Sequence, residues 1–177
     1  MRHFTGKGDQ GKSSLADGRL ISKGDLVFEV IGSLDEATAH LGMAISLSQD
    51  PEIKINLRSI QDHLSKLMGF IAGVNNTDLE EGSYIISALE WLEDVINVYG
   101  DSIEDHKGFL FAGQSSAGAS IDIARTVIRR TERQAAEYFE NIKDHGNEVL
   151  SYLNRLSSFL FILRLFIDRQ TNSHGKR

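Results

Sequence analysis

Proline is nearly absent from this sequence, and that scarcity constrains the fold more than any other feature. Of 177 residues only Pro51 is a proline, so helices can extend without the clash and the lost backbone donor that proline causes in a helix interior. Apolar residues recur over long stretches at the 3.6-residue spacing of a helix, and alternating strand patterns are almost absent. The sequence therefore predicts an all-α protein.

Five helical segments follow from this periodicity, and the connections between them are short enough for an antiparallel, up-and-down-like bundle. They cover approximately Lys23–Leu47, the residues after Asp50-Pro51, Gly82–Asp105, Ser115–Ile142, and Asn147 to the start of a polar tail at residues 170–177. On the second helix we expect a core-facing stripe made of Ile55, Ile60, Leu64, Leu67 and Ile71. With no internal repeat or linker, residues 1–177 are expected to form a single domain that includes a glycine-rich, nucleotide-binding leader at residues 1–22.

The composition excludes several classes of protein. A chain with no cysteine has no disulfide framework, thiolate chemistry or cysteine-bound metal, and it suits a reducing compartment, so the cytoplasm is expected. A net charge of −6 argues against nucleic-acid binding, which needs an excess of Lys and Arg. The apolar run FLFILRLFI is short and broken by Arg164, and the amino terminus lacks a signal-peptide core, so neither membrane spanning nor secretion is expected.

The amino terminus contains a glycine-rich segment, GKGDQGKS at residues 6–13, that matches the pattern of a phosphate-binding loop. A P-loop ATPase or kinase, the main rival enzyme class, also needs a buried strand before the loop, and only MRHFT precedes this one. The P-loop fold is therefore not expected. Exposed glycine N–H groups, together with Lys7, Lys12, Ser13 and Ser14, still suit a polyphosphate, and a flexible, solvated terminus is the alternative.

The fourth predicted helix carries an unusual run of arginines in the segment ARTVIRRTERQ. Arg125, Arg129 and Arg133 follow one another at i, i+4 spacing, so their guanidinium groups lie on one side of the helix. Clustered fixed cations repel one another unless an anion binds, and the planar guanidinium fork suits a triphosphate. The alternative is an ordinary exposed face whose arginines pair with acidic residues of the same helix.

Four sequence blocks, in order along nearly the whole chain, carry a more specific signal than either feature alone. TGKGDQGKSSL followed by SKGD is similar to T-x-T-G-D-x-G-x-[ST]-x-L with a downstream S-K-D, and FEVIGSLDEATAHLG is similar to V-E-x-Y-G-x-x-D-E-L-N-x-x-L-G. GFLFAGQSSAGASIDIARTVIRRTER resembles F-I-L-P-G-G followed by A-R-T-x-x-R-R-x-E-R, and YLNRLSSFLF resembles Y-L-N-R-L-S-D-x-L-F. These are patterns of the PduO-type ATP:cob(I)alamin adenosyltransferases, which the chain resembles.

The resemblance implies a five-helix bundle that assembles as a homotrimer, with active sites between neighbouring subunits. It implies transfer of the 5′-deoxyadenosyl group of ATP to cob(I)alamin, with Mg²⁺ as cofactor, giving adenosylcobalamin and triphosphate. The implied catalytic residues are Arg129, Glu132 and Arg133. By similarity, the residues that hold ATP are Thr5, Gly6, Lys7, Gly8, Ser13, Ser14, Lys23, Arg129, Arg130, Thr131, Glu132, Arg133 and Asn154.

Two further positions gain a role from the resemblance. Asp35 and Arg125 stand where the family forms an ion pair across the subunit boundary, and Phe109 stands where an aromatic side chain packs under the corrin. Ordinary core packing is the alternative for Phe109, and it is the expectation for Phe111. No metal ligands can be assigned, and because the six histidines show no i, i+4 pairs, a histidine metal site is not expected.

The chain departs from the family pattern at several positions. Lys7 and Lys12 replace threonines of the leader, Ala112 and Gln114 replace a proline and a glycine after Phe109, and Ser158 replaces an aspartate. Because the corrinoid side is the more altered, the alternative function is a helical ATP-binding sensor or regulatory protein without turnover. Possible protein partners are a cobalamin reductase and an adenosylcobalamin-dependent enzyme.

Overall fold

A computed structural model describes residues 6, 8–74, 83–103, 108–143 and 146–174. Within those residues there are five long helices and one short antiparallel hairpin. The helices are α1 Leu26–Leu47, α2 Pro51–Ile71, α3 Ser83–Gly100, α4 Ser116–Ile142 and α5 Asn147–His174, and the hairpin pairs β1 Lys12–Ser14 with β2 Leu20–Ser22. The described residues contain no parallel sheet, so the P-loop fold is absent from them and the all-helical expectation is confirmed apart from this hairpin.

Polar side chains define where three of the helices begin. The Asp25 carboxylate accepts a hydrogen bond from the Val27 amide at the start of α1, and the Asp50 carboxylate does the same for two amides at the start of α2. Ser115 caps α4, because its Oγ accepts from the Gly118 amide at 3.0 Å. Each bond satisfies an amide that the helix itself leaves without a partner.

The core is centred on α5, which packs against α3 and α4, while α1 packs against α4 and α2. Four leucines of α5 are completely buried: Leu153, Leu156, Leu160 and Leu163. Burial of a leucine side chain contributes roughly 1.5–3 kcal/mol, so this apolar seam stabilises the packing of α5 against its neighbours. It also fixes the relative positions of the polar faces of α4 and α5.

Two sequence-based expectations for the helices were wrong. Ile55 is 63% exposed rather than in the core, because the buried stripe of α2 passes through Ile53 and Leu57 and a residue two positions from each faces the other way. The polar tail expected from residue 170 is helical to His174. There the Thr171 hydroxyl donates to the Ile167 carbonyl at 3.0 Å, so a polar side chain supports the last turns.

Helix ends also differ from the expectation by a few residues. The first helix begins at Leu26 rather than Lys23, because Asp25 caps it. The third helix ends at Gly100, where a turn follows in which the Ser102 amide donates to the Tyr99 carbonyl. The expected end at Asp105 lies outside the described residues.

The helix α5 is both long and apolar. Among the described residues one helical segment, Asn147–Thr171, is long and apolar enough to cross a bilayer, with a mean hydropathy of 1.3 over its best window. Half of that window is buried inside the bundle, as is usual for the core helix of a globular protein. The apolar surface of α5 is therefore explained by its neighbours α3 and α4.

Candidate functional site

The leader and Lys23 converge at the base of the hairpin. The Lys23 amide donates to the Gly11 carbonyl at 2.8 Å, and the Lys23 ammonium lies 3.0 Å from the position a Cβ would occupy on Gly8. Glycine thus allows the cation to approach the leader backbone closely. Ser13 and Ser14 follow on β1, whereas Thr5 and Lys7 lie outside the described residues.

The arginines of α4 have different surroundings, although their spacing places them on one side of the helix. Arg125 forms an ion pair with Asp122, with 2.7 Å between Nε and Oδ1. Arg129 and Arg133 are exposed, and Arg133 donates to the Arg129 carbonyl at 2.8 Å. Within the described part of the chain neither of these two forms an ion pair with a carboxylate. That arrangement favours an anion-binding face over a face of paired surface charges.

The next two residues of the motif point elsewhere. Arg130 forms an ion pair with Glu36 on α1. Thr131 is completely buried, and its hydroxyl donates to the Val127 carbonyl at 3.0 Å. The motif therefore combines exposed groups that are available to a ligand with an arginine that pairs with α1 and a buried hydroxyl that is bonded within α4.

Glu132 belongs to a polar network that crosses three helices. Its Oε1 accepts from Asn154 Nδ2 at 3.0 Å, Asn154 Oδ1 accepts from Arg155 at 3.3 Å, and Arg155 pairs with Glu93 at 3.2 Å. The network joins α4 through α5 to α3. It holds the Glu132 carboxylate and the Asn154 amide beside each other, next in sequence to Arg133.

Asp35 and Arg125 are not paired within one chain. Asp35 is exposed on α1, and the partner of Arg125 there is Asp122.

The segment between α3 and α4 presents two aromatic side chains to solvent. Phe109 is 83% exposed and Phe111 is 77% exposed, and their rings meet edge to face with 5.1 Å between centroids. Core packing, the expectation for Phe111 and the alternative for Phe109, is therefore wrong for both. Exposed aromatic pairs are costly in water and commonly mark a surface that binds something.

Beside this aromatic loop lies a cavity of about 760 Å³ at one end of the bundle. It is lined by the connection from α1 to α2, by Gly113 to Ala117, and by Ile167, Gln170 and Thr171 near the end of α5. None of the expected nucleotide residues lines it. The cavity is thus lined by the loop that follows Phe109 and by none of the arginines of α4.

Arg164 and Asp168 are two residues of this region whose role the sequence did not reveal. Arg164 is 1% exposed and Asp168 is buried, and Arg164 Nε lies 3.2 Å from Asp168 Oδ2. In the sequence Arg164 only interrupts an apolar run. The available signal was the i, i+4 spacing of opposite charges within that run, which is the separation of neighbouring side chains on a helix.

A histidine of α2 occupies an aromatic cluster with side chains of α3 and α5. His63 meets the rings of Tyr84, Trp91 and Tyr152 edge to face at 5.1 to 5.9 Å, and its Nδ1 lies 3.0 Å from the Tyr152 hydroxyl. Burial lowers the pKa of His63 and raises the pKa of Tyr152 well above its usual value. Both shifts favour the neutral forms, which is consistent with a packing role.

Comparison with known sequences identifies the family. The sequence profile described as "Cobalamin adenosyltransferase" matches residues 3–167, which is most of the chain. The chain belongs to the cobalamin adenosyltransferase family. The PduO-type resemblance is thereby confirmed, and the matched residues include the leader from residue 3 onward, the arginine run and the aromatic loop.

Individual members of the family align over nearly the full length. The corrinoid adenosyltransferase of Mycobacterium tuberculosis is 34% identical over 172 residues, covering 92% of this chain and 86% of the relative. The Bacillus subtilis corrinoid adenosyltransferase is 32% identical, covering 91% and 83%. The Citrobacter freundii corrinoid adenosyltransferase PduO is 30% identical over 99% of this chain, which spans 52% of that longer relative.

Solved members of the family share the fold. A variant of the Lactobacillus reuteri PduO-type ATP:corrinoid adenosyltransferase, complexed with cobalamin and ATP, superposes with a TM-score of 0.85 at 23% identity, covering 97% of this chain and 93% of that one. A second variant, complexed with ATP, superposes with a TM-score of 0.81 and covers 96% and 95%. The five-helix arrangement described above is therefore the fold of this family.

Proposed function

We propose that this member of the family uses its exposed α4 arginines to bind the triphosphate of ATP while the 5′-deoxyadenosyl group passes to a corrinoid. Family membership supplies the reaction: the chain is a transferase that adenosylates a corrinoid with ATP. The observation that carries the residue assignments is the exposure of Arg129 and Arg133 beside the Glu132–Asn154 pair. There, guanidinium donors that can bind an anion lie next to a carboxylate.

The reaction requires the site to stabilise negative charge on the leaving triphosphate. Cobalt(I) of the corrinoid attacks the 5′ carbon of ATP, the carbon–oxygen bond to the triphosphate breaks, and negative charge grows on the leaving group. Arg129, Arg133 and Lys23 would stabilise that charge, because preorganised donors act most strongly where charge develops. Holding ATP against the corrinoid also replaces a chance encounter by an aligned one.

The remaining nucleotide contacts are assigned by similarity. They are Thr5, Gly6, Lys7, Gly8, Ser13 and Ser14 in the leader and Arg130, Thr131 and Asn154 in the bundle. Support differs among them: the close approach of Lys23 to Gly8 supports the leader assignment. The buried hydroxyl of Thr131, bonded within its own helix, gives that residue no such support.

Glu132 is proposed to orient a neighbouring arginine or to hold Mg²⁺. Among the described residues there is no cluster of three or more acidic or histidine side chains able to enclose a metal ion. A single carboxylate nevertheless fits Mg²⁺, which is usually bound by one or two carboxylates together with substrate phosphates and water. The bond from Asn154 fixes the carboxylate in place for that role.

Phe109 is proposed to pack against the corrin. Its ring is exposed, lies against Phe111 and stands on the loop beside the 760 Å³ cavity. An apolar ring there would exclude water from the lower face of the corrin and displace the lower axial ligand of cobalt.

The assembly is proposed to be a homotrimer in which each site lies between two subunits. Asp35 and Arg125 would pair across that boundary, which agrees with the exposure of Asp35 in a single chain. The cytoplasm is the proposed compartment. A cobalamin reductase that supplies the cobalt(I) state and an enzyme that uses adenosylcobalamin are the proposed protein partners.

Corrinoid absorbance tests the proposal directly. The protein is incubated with ATP, Mg²⁺ and chemically reduced cobalamin, and formation of adenosylcobalamin is followed. Arg129→Ala should lower turnover by at least about a hundredfold, the usual scale for removing a donor to developing charge, while the helical circular dichroism is unchanged. Arg58→Ala, which removes an exposed arginine from α2, is the matched control and should retain turnover.

Two outcomes would contradict the proposal. Wild-type turnover in Arg129→Ala would remove the assigned role of that arginine. ATP binding by the wild-type protein without any adenosylcobalamin would instead favour the sensor, whose structural basis would be the Ala112 and Gln114 departures beside Phe109.

A further inference from the structure

The aromatic loop is held by two buried charges on α5. The loop, residues 108–115, carries exposed Phe109 and Phe111, and neither ring is anchored in the core. A segment whose side chains face solvent must be fixed through its backbone if it is to offer a defined surface. The contacts that do so come from Arg164 and Asp168.

These contacts reach two points of the loop. The Arg164 guanidinium donates a hydrogen bond to the carbonyl of Phe111, in the middle of the loop. Asp168 Oδ1 accepts from the Ser115 hydroxyl at 2.6 Å, at the end of the loop, and the same hydroxyl caps α4 through Gly118. We name Arg164, Asp168 and Ser115 the loop clamp.

Local packing is adapted to the loop clamp. A Cβ on Gly118 would overlap Asp168 Oδ1 and lie 2.7 Å from Ser115 Oγ. Gly113, within the loop, has a φ of 98°, a conformation that other residues rarely adopt. Glycine at both positions lets the loop turn sharply and lets the first turn of α4 approach the buried carboxylate.

The loop clamp is not expected to increase the free energy of unfolding. Removing two charges from water costs several kcal/mol per ion, and a buried ion pair can often be replaced by apolar side chains without loss of stability. Here the two side chains approach each other within α5 at 3.2 Å, and their hydrogen bonds go to the loop. The net effect of the pair is therefore expected in the geometry of the loop and not in the free energy of unfolding.

Arg164 of the loop clamp and Arg125, the first arginine of the α4 run, lie near the same aromatic ring. The guanidinium carbons of Arg164 and Arg125 lie 5.9 and 6.0 Å from the centroid of the Phe161 ring. One aromatic ring on α5 thus contacts the loop clamp and the first arginine of the α4 run.

We propose that Arg164 and Asp168 are positioning residues that hold the Phe109–Phe111 loop in the conformation that receives the corrinoid. The inference rests on the proposed role of Phe109, and it adds that the corrinoid affinity of this chain depends on two charges that do not touch the corrinoid. ATP binding, which belongs to the exposed face of α4, is independent of them.

The test replaces the pair by apolar side chains of similar size, Arg164→Met with Asp168→Leu. This double variant should keep its melting temperature, because no lone charge is left buried. Its KM for cob(I)alamin should rise by about tenfold or more, the scale of a displaced binding group, while its KM for ATP stays within about twofold. Amide hydrogen exchange should increase in residues 109–115 and remain unchanged in the helices.

Single variants and a control complete the design. Arg164→Lys keeps the charge but lacks the planar fork, so it should show the same corrinoid defect in weaker form. Arg169→Met removes another arginine of α5 that donates to a backbone carbonyl, that of Ser102, and should leave the KM for cob(I)alamin unchanged.

Phe109→Ala distinguishes a failure of the positioning role from a failure of the proposed corrinoid role of the loop. If Phe109→Ala raises the KM for cob(I)alamin and the double apolar variant does not, the positioning role is overturned while the proposed function stands. If neither variant changes that KM, the proposed corrinoid role of the loop fails, and the positioning role fails with it. An equal rise in the KM for ATP would also overturn the inference, since it would indicate general disorder.

Discussion

Arg129 and Arg130 are neighbours in the sequence but have different surroundings. Arg130 extends to Glu36 on α1, whereas Arg129 is exposed beside Arg133. A surface ion pair contributes only about 0–1 kcal/mol, so Arg130 can exchange its carboxylate for a phosphate at little cost. Arg129 pairs with no carboxylate among the described residues. It is therefore the better hydrogen-bond donor to a leaving triphosphate.

The role of Glu132 can be separated from its hydrogen bond. Glu132→Gln keeps an oxygen that accepts from Asn154 but removes the negative charge. If the carboxylate holds Mg²⁺ or orients an arginine, turnover should fall by about tenfold or more, and the Mg²⁺ concentration needed for half-maximal rate should rise. A magnesium titration of the rate measures both.

Glu137→Gln is the control, since Glu137 is an exposed carboxylate on the same helix. Its magnesium titration should match that of the wild-type protein. Equal titrations for both variants would show that the Glu132 charge has no part in metal binding.

His63 should make the protein less stable in mild acid. Its pKa is lowered from the ordinary 6.5, mainly by burial, so below about pH 6.5 the unfolded chain binds a proton that the folded chain resists. Stability contributed by the neutral ring is present above that pH and is lost as the pH falls toward the lowered pKa. The urea midpoint of the wild-type protein should therefore decrease between about pH 7.5 and pH 5.5.

His63→Gln keeps a hydrogen-bonding side chain near Tyr152 but cannot titrate. Its urea midpoint should change less over the same pH interval, even if its absolute stability is lower. An identical pH dependence in both proteins would contradict the effect of burial on His63.

Sequence reasoning located individual residues well when local spacing determined their position. The i, i+4 run put Arg125, Arg129 and Arg133 on one side of a helix, and the family motifs added Glu132 and Asn154, which the structure brings within hydrogen-bonding distance. Partners from distant parts of the chain were not predictable. The pair of Arg130 with Glu36 depends on how α1 packs against α4, which no local pattern encodes.

At the scale of elements, the two described residues that flank the connection between α4 and α5 both have a positive φ. Lys143 ends α4 with a φ of 58°, and Gly146 begins the approach to α5 with a φ of 50°. A Cβ on Gly146 would overlap the ring of Phe139, which is buried. The turn therefore requires glycine for two reasons, its backbone conformation and the contact with an aromatic ring.

Gly146→Ala should destabilise the protein by about 2–4 kcal/mol, because it combines backbone strain with overpacking. Gly18→Ala is the matched control: it has a φ of 88° but open space around it, so it should cost only about 1 kcal/mol. Thermal or urea unfolding gives both values. Equal losses would show that the contact with Phe139 relaxes freely.

The helices were predictable from the sequence because their signals are local. The hairpin was not predictable, since its strands are short. The Asp50-Pro51 pair marks the start of α2, and apolar stripes mark helices of 18 to 28 residues. Each strand has only three residues, too few to show an alternating pattern. The one cue was Asp17-Gly18, a common turn sequence, at the position where the two strands reverse direction.

At the scale of the whole molecule, the proposed trimer makes a prediction about coupling. If Asp35 of one subunit pairs with Arg125 of its neighbour, Asp35→Asn and Arg125→Gln should each lower turnover. The double variant should lose little more than the worse single variant, because both remove the same interaction. Light scattering coupled to size exclusion gives the mass of each variant.

Asp122→Asn provides the comparison within one chain, since Asp122 pairs with Arg125 at 2.7 Å. The pair between subunits does not exist if the Asp35→Asn and Arg125→Gln variants lose turnover independently, so that the loss in their double variant is the product of the two single losses. Coupling would then be seen only between Asp122 and Arg125. A monomeric mass for the fully active wild-type protein would contradict the trimer itself.

The attachment of the hairpin to the bundle has a consequence for ligand entropy. The buried side chain of Leu15 and the bond from the Ala16 amide to the Ala72 carbonyl join the turn of the hairpin to the end of α2. Residues 12–22 consequently lose their conformational freedom when the protein folds, before any nucleotide arrives. A ligand that contacts Ser13, Ser14 or Lys23 then binds a surface that is already ordered, and its affinity is not reduced by ordering that stretch.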